Sequence, residues 1–422
     1  MAALRILLAT MGTRGDLQPM LALGEALRAR GHQVEFAAPP DFAEQVRGRG
    51  FPFHACGMQV ADLLRRHAAG LSSGVSFGAA GAAREFPREI AAQATALLPA
   101  AAGMDIVVAA SLLFAAPMVA EKLGIPYLYC VFAAVAMRSV HHPPFVVGAR
   151  SWPRWMNAIG WSVTLGAADM LLGPALAAER KRLGLRPPKA VFRELRSRPV
   201  LLASDAQLAP LPPDISADPQ DGVIQTGAWI LPVGGDLPPV LDAFLRAGPA
   251  PVYLGFGSMP DPDPLATTRM AVAAARRAKR RLVLGAGWSG LGGDRDLGLD
   301  IAVAGDVPHA LLFPRCAAVV HHGGAGTTSS AARAGVPQAI IPHLLDQHHW
   351  GWQVRRLGLG PAPIPRRKLT TERLAAVFAV LGDAERKARA RDLAASLARN
   401  RGTEHAVAVI EDAVRRHRER RG

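Results

Sequence analysis

The stretch Val319–Gly360 reads VVHHGGAGTTSSAARAGVPQAIIPHLLDQHHWGWQVRRLGLG, and it decides the fold. A short apolar run ends in His321-His322. A Gly-rich turn, Gly323-Gly324-Ala325-Gly326, follows and opens a helical pattern from Gly326 that stops at Gly335-Val336-Pro337. A second apolar run, Gln338–Ile341, then leads through Pro342 into another helical pattern from Asp346. Strand, helix, strand, helix without hairpin signals is the pattern of a parallel sheet covered by helices. Glycines let the backbone come close to a ligand, and a helix N-terminus offers free N–H groups and the positive end of a dipole. Thr327 and Thr328 add hydroxyls, and a strand-end histidine can donate a ring N–H. Together these residues describe an anion site, best suited to a diphosphate. The plainer alternative is a structural turn with core-facing histidines. No Gly-Lys-Ser/Thr follows the glycines, so this is not a Walker loop, and the Gly12–Gly15 turn matches the dinucleotide fingerprint only loosely. His321, His322, His348 and His349 have no acidic or Cys neighbour at zinc spacing, so no metal is expected.

Three further groups carry chemistry. Asp346-Gln347, at a strand-to-helix junction, can hold neighbouring sugar hydroxyls, the alternative being a helix N-cap at Asp346. Gly257-Ser258, closing an apolar run, suits close approach to phosphate, or is a plain turn. Asp16, in Gly12-Thr13-Arg14-Gly15-Asp16 after the first apolar run, lies where open α/β sheets bind ligands. Residue type alone leaves it open as a general base or an N-cap.

Outward from these groups the alternation extends along the chain. Leu4–Thr10, Val34–Ala38, Asp105–Ala110, Tyr127–Phe132 and Val200–Ala203 read as strands, with an amphipathic helix opened by Pro19 and ended by Gly31. Pro and Gly crowd residues 209–250 around one short strand, Val223–Thr226, and mark a linker. The alternation restarts with Val252–Phe256, a helix near Leu265–Ala278, Arg281–Leu284, Ile301–Ala304 and Ala317–His321, and residues 384–420 read as helical. The expected organisation is two Rossmann-like α/β domains, residues 1–230 and 251–402, joined by a linker at 231–250, with a last helix over 403–422.

The 422 residues suffice for two or three domains. Half are hydrophobic and 20% charged, which excludes a disordered chain. Three scattered cysteines exclude a disulfide framework and fit a reducing, cytoplasmic setting. No uncharged apolar run reaches the ~20 residues of a membrane span. The net charge of +15 suits nucleic acid, an anionic membrane surface or anionic small molecules. No aromatic interleaving or known module supports nucleic acid. Trp152, Trp155 and Trp161, with Arg150 and Arg154, read either as a helix packing on the first sheet or as an acceptor lip or membrane-contacting patch.

With these residues in view, the chain resembles the two-domain GT-B glycosyltransferases of the UDP-glycosyltransferase superfamily. It is most similar to bacterial enzymes acting on natural products, including those of the vancomycin-type glycopeptides, and also to sterol glucosyltransferases. The similarity rests on LLATMGTRGDLQPMLALGEAL, AEKLGIPYLYC, VIQTGAWILP, PVYLGFGSM and the opening stretch, and so spans residues 7–360.

The resemblance implies a metal-independent, inverting transfer of a hexose, glucose by preference, from a UDP- or dTDP-sugar in the second domain to a hydroxyl held by the first. It implies that His322 contacts the diphosphate with Gly324, Gly326 and Thr327, and that Gly257 and Ser258 add phosphate contacts. Asp346 and Gln347 would hold the sugar, Thr13 would reach toward the donor, and Asp16 would be the base. Plant members stack the uracil on a tryptophan. Here Asp306-Val307-Pro308-His309 stands in its place, so the base rests on Val307 or Trp288. Residues 131–195 do not look like the glycopeptide enzymes, which points to a more apolar acceptor such as a polyketide or terpenoid. A sterol or lipid acceptor at the inner membrane face and a non-catalytic partner on the same scaffold are the alternatives. A monomer or homodimer is expected.

Overall fold

The computed structural model describes residues 2–59, 79–147, 152–188, 190–197, 199–218, 220, 222–232, 234–293 and 297–421. Two all-parallel sheets carry the chain. The first has the order β3-β2-β1-β4-β5-β6-β7, with β1 Arg5–Met11, β2 Gln33–Ala38, β3 Phe53–Ala55, β4 Ile106–Ser111, β5 Tyr127–Val131, β6 Val200–Leu202 and β7 Val223–Gln225. The second has the order β10-β9-β8-β11-β12, with β8 Val252–Gly255, β9 Leu282–Gly285, β10 Ile301–Ala304, β11 Ala318–His321 and β12 Gln338–Ile340.

Both faces of the first sheet are buried, which is why its strands read as continuous apolar runs. Leu7, Ala9 and Met11 of β1 point to one core, which holds α3 (Ala79–Ala100), α4 (Ala116–Leu123) and part of α5 (Arg154–Arg182). Ile6 and Leu8 point to the other, with α1 (Arg14–Ala29). That second core also takes Ala406, Val407, Ile410 and Val414 of the last helix, which therefore returns to the first domain.

Two local readings are corrected. Pro19 lies inside α1 and does not open it; the helix starts at Arg14 behind an N-cap at Thr13. The Pro-rich text to 250 is not a featureless linker: α7 (Pro239–Arg246) buries Leu241 and Leu245 against Tyr253 and Val283 of the second domain. Here α2 is Ala43–Arg47 and α6 is Val191–Leu195. Prolines at its first turn suit a helix start, so Pro238-Pro239 begins α7 and does not prevent it.

Beyond α7 come α8 (Pro264–Arg277), α9 (His309–Leu312), α10 (Ala325–Arg333), α11 (Gln347–Arg356), α12 (Thr371–Val380), α13 (Ala384–Leu397) and α14 (Gly402–Glu419). The domains meet through a shared apolar cluster, Ala133, Val135, Leu208 and Ala209 against Ile340, Trp350 and Val354. Beside it Arg333 donates to Asp205, 2.7 Å, with a fully buried carboxylate. Strand order reverses between β1 and β4 in one sheet and between β8 and β11 in the other. Ligands of open α/β sheets bind beyond the carboxyl ends of strands at such reversals.

Candidate functional site

At the first reversal stands Asp16, in the first turn of α1. Thr13 caps the helix: its hydroxyl accepts from the Gly15 amide at 3.2 Å, and its own amide donates to Asp16 Oδ2 at 2.7 Å. Asp16 therefore closes a capping box from the third helical position and is not itself the N-cap. Its other oxygen, Oδ1, accepts from the hydroxyl of Ser111 at the end of β4. Ser111 holds a left-handed backbone conformation, φ 62°, and its carbonyl accepts from the Tyr129 hydroxyl at 3.0 Å. Gly12 leaves space for the carboxylate, since a Cβ there would lie 2.2 Å from Asp16 Oδ2. Burial pushes the Asp16 carboxyl up from its ordinary range, against the hydrogen bonds from Ser111 and Thr13. Ser111 and Tyr129 escape sequence reasoning, because nothing in a strand-end serine or an apolar strand's tyrosine marks them.

At the second reversal, β11 delivers two histidines with different fates. His321 is fully buried. Its Nε2 pairs with Gln338 Oε1 at 2.9 Å and its Nδ1 accepts from the Gly323 amide at 3.1 Å, so its role is structural. His322 has its Nδ1 buried with no hydrogen-bond partner among the described residues. Burial drives its pKa well down, so the ring is neutral near pH 7 and can serve as a hydrogen-bond donor without a charge. Cβ atoms at Gly257 and Gly324 would come within 3.0 and 2.6 Å of this ring, so both positions leave it room. Gly324 is the N-cap of α10 and makes no side-chain cap. The first bond into the helix is Thr328 N to Gly324 O at 2.9 Å, which leaves the amides of Ala325, Gly326 and Thr327 without helical acceptors. Thr328 ties its hydroxyl to Gly324 O at 2.9 Å, whereas Thr327 and Ser258 are half-buried at the cleft.

Between these centres lies Asp346. It occupies the cap position of α11 yet caps nothing; its carboxylate instead accepts from Trp350 Nε1 at 3.0 Å. Burial raises its pKa to about 6, against the hydrogen bond from Trp350, and the charge of Asp16 adds to the rise. Gln347 departs from expectation in part. Its Oε1 accepts from the amides of His343 and Leu344 at 2.7 and 3.1 Å, so its acceptor closes its own turn and only the amide N–H₂ is left for a ligand.

The two expected supports for a nucleobase also separate. Val307 packs into the apolar cluster around Tyr253 and Leu241. Trp288 is exposed beside the Gly257-Ser258 turn, its amide donating to Gly257 O at 2.9 Å. Arg14, one residue past Thr13, reaches across the cleft to the carboxylate of Asp306. This cross-domain ion pair was not anticipated from the sequence. Within the Trp-rich stretch, Trp161 is buried and donates to His142 O at 3.1 Å, while Trp155 is 64% exposed. His142 lies against Trp161 and against His349 of the second domain.

Comparison with known proteins meets this geometry from both ends of the chain. Residues 6–142 match the glycosyltransferase family 28 N-terminal domain, and residues 292–411 match the erythromycin biosynthesis protein CIII-like C-terminal domain. The chain is 39% identical to a vancomycin aglycone glucosyltransferase of Amycolatopsis orientalis, over 98% of this chain and 99% of the relative. It is 31% identical to a sterol 3-beta-glucosyltransferase of Arabidopsis thaliana, over 98% of this chain and 68% of that one. Among solved structures, the glycosyltransferase VinC in complex with dTDP superposes with a TM-score of 0.70 at 21% identity, covering 98% of this chain and 100% of that chain.

Proposed function

The chain belongs to the GT-B glycosyltransferases and is an enzyme of that class, and from this premise we propose that it moves a hexose from a UDP- or dTDP-sugar to a hydroxyl of an apolar natural product, with inversion and without a metal. The observation that carries the proposal is the opposition of the two strand-order reversals. One presents a carboxylate held by hydrogen bonds, the other a neutral histidine and three amides without helical acceptors, and Arg14 beside the first pairs with Asp306 of the second domain.

Asp16 accepts the proton of the acceptor hydroxyl as its oxygen attacks the anomeric carbon. The bond from that carbon to the diphosphate oxygen breaks on the opposite face, and the nucleoside diphosphate leaves with its electron pair. Such base assistance is worth roughly 10²–10⁴-fold. His322, Ser258 and the N-terminus of α10 meet the growing negative charge, an electrostatic role that needs no reorganisation when the donors are already aimed. Asp346 accepts from sugar hydroxyls, the Gln347 amide donates, and Thr13 borders the sugar. Trp288 is better placed than Val307 to support the base. Leu112, exposed next to Ser111, gives the acceptor side an apolar rim.

The glucosyl transfer in the name of the Amycolatopsis relative and the dTDP bound by VinC support glucose and a thymine-type donor as first substrates, with the uracil-type donor tested beside it. The sterol relative supports a lipid acceptor as the second reading. The test is incubation with UDP-glucose and dTDP-glucose and a panel of hydroxylated polyketides, terpenoids and sterols. A β-linked product from an α-linked donor is expected. Retained configuration, or no transfer from either donor to any acceptor, overturns the proposal.

A further inference from the structure

One surface is left over by this reading. Helix α5 runs for 29 residues, about 44 Å, and by length and composition is apolar enough to cross a membrane. It does not stand free to do so. Asn157, Trp161, Leu172, Leu176 and Glu179 bury one face of it in the protein, against α3 and α6. The opposite face is exposed: Trp155, Ile159, Val163 (65%), Met170 (83%) and Leu171. Between Arg154 and Glu179 the only ionisable side chain is Asp169, and its carboxylate accepts from the Val191 amide at 2.7 Å. In a chain with 20% charged residues, so long a charge-free exposed face is anomalous, and faces of this kind mark interaction surfaces.

We propose that this face docks on an anionic lipid bilayer, with α5 lying in the plane of the interface. The charges select the occupant. Exposed Arg154 bounds the apolar face at one end, and exposed Lys181, Arg182 and Arg186 bound it at the other; of these, Arg182 is paired with Glu179. The chain as a whole carries +15. An apolar helix face bounded by basic residues, one end carrying tryptophan, suits the headgroup boundary of anionic lipid. A second copy does not suit it. Paired antiparallel, Arg154 of one helix meets Lys181 of the other; paired parallel, like residues meet, and both arrangements oppose positive charges. The inner face of the same helix holds the loop on the acceptor side, through Trp161 Nε1 to His142 O at 3.1 Å and Asn157 Nδ2 to Val140 O at 2.8 Å. A docked bilayer therefore lies beside the acceptor entrance, where an apolar acceptor dissolved in lipid would arrive. This last consequence rests on the glycosyltransferase reading; the docking itself does not.

The experiment is flotation with vesicles of pure phosphatidylcholine and of phosphatidylcholine with phosphatidylglycerol. It compares the full chain with a Trp155→Ser, Val163→Ser, Met170→Ser variant and with Lys181→Glu. Wild type is expected to float with the anionic vesicles, less so in high salt and less with the neutral ones. The triple variant should lose at least about tenfold in partitioning and Lys181→Glu several-fold. Binding of UDP and dTDP, measured in all three proteins, should be equal; its failure in wild type would count against the donor site and leave the docking result intact. Absence of flotation, equal flotation with both vesicle types, or a triple variant that floats like wild type overturns the proposal. So does a wild-type dimer in light scattering that the triple variant dissolves, which would make a second copy the occupant.

Discussion

The two strand-order reversals are built alike and finished differently. At the end of β1 the key side chain is satisfied within the protein: Asp16 accepts from the Thr13 amide and from Ser111, and Ser111 is braced by Tyr129. At the end of β11 the key groups are left open. Among the described residues, His322 keeps a buried nitrogen with no partner, and α10 starts on a glycine that makes no side-chain cap. Buried polar groups normally find partners, so the second centre reads as one completed by its ligand. A base must be held in one orientation before the acceptor arrives. An anion cradle must keep its donors free until the diphosphate fills it.

Substitutions can break this contrast in order of size. Asp16→Asn removes the proposed proton acceptor and should lower turnover by roughly 10²–10⁴-fold. His322→Ala removes one donor from the open centre. It should weaken nucleoside diphosphate binding by roughly tenfold or more, as expected for a hydrogen bond to a charged group, read by calorimetry with UDP and dTDP. Ser111→Ala should cost roughly tenfold in turnover and leave that binding unchanged. It should also move the acid limb of the rate profile: the Ser111 hydroxyl favours the ionised form of Asp16, so its loss carries the already raised pKa higher and activity is lost sooner as pH falls.

A smaller effect concerns Asp346, whose pKa rises from 3.8 to about 6 in the folded protein. A raised carboxyl holds its proton more tightly when folded, so its contribution to stability declines as pH rises through that window. Asp346→Asn should therefore raise Tm at pH 8, with the gain vanishing below pH 4, while the proposed contact to the sugar is weakened. The smallest effect is expected for Arg14→Ala. The ion pair with Asp306 is solvent-exposed, and exposed pairs contribute at most about 1 kcal/mol. A change of no more than about fivefold in donor KM is the outcome to look for.

How much of this was legible depended on whether local sequence could carry it. The strands of both sheets stood out because burial on two faces turns each into an apolar run. The short edge strand Phe53–Ala55 and the helix begun by Pro238-Pro239 did not, since one is brief and the other wears the composition of a loop. The turn from His322 to Thr328 was readable as a candidate anion site because glycines, threonines and a strand-end histidine are contiguous there. The histidine pair could not be divided by type alone. Only the fold shows that Gln338 claims His321 and leaves His322 open. Asp16 was ambiguous for the same reason: cap and base use the same atoms, and here the capping bond coexists with a hydrogen bond from a serine 95 residues away. Gln347 was half-read, because its acceptor is spent on amides of its own turn. The Trp-rich stretch held both of its readings at once, Trp161 in the core and Trp155 in solvent, because a helical period separates the faces.

The most direct test of the contrast measures two quantities in one protein. In Asp16→Asn, UDP and dTDP affinity is taken by calorimetry, and transfer to an acceptor from the screen is followed as nucleoside diphosphate release. Affinity equal to wild type, with turnover lowered by roughly 10²–10⁴-fold, is the predicted result. Undiminished turnover, or donor affinity lost along with it, would contradict a preformed base opposite an independent anion cradle.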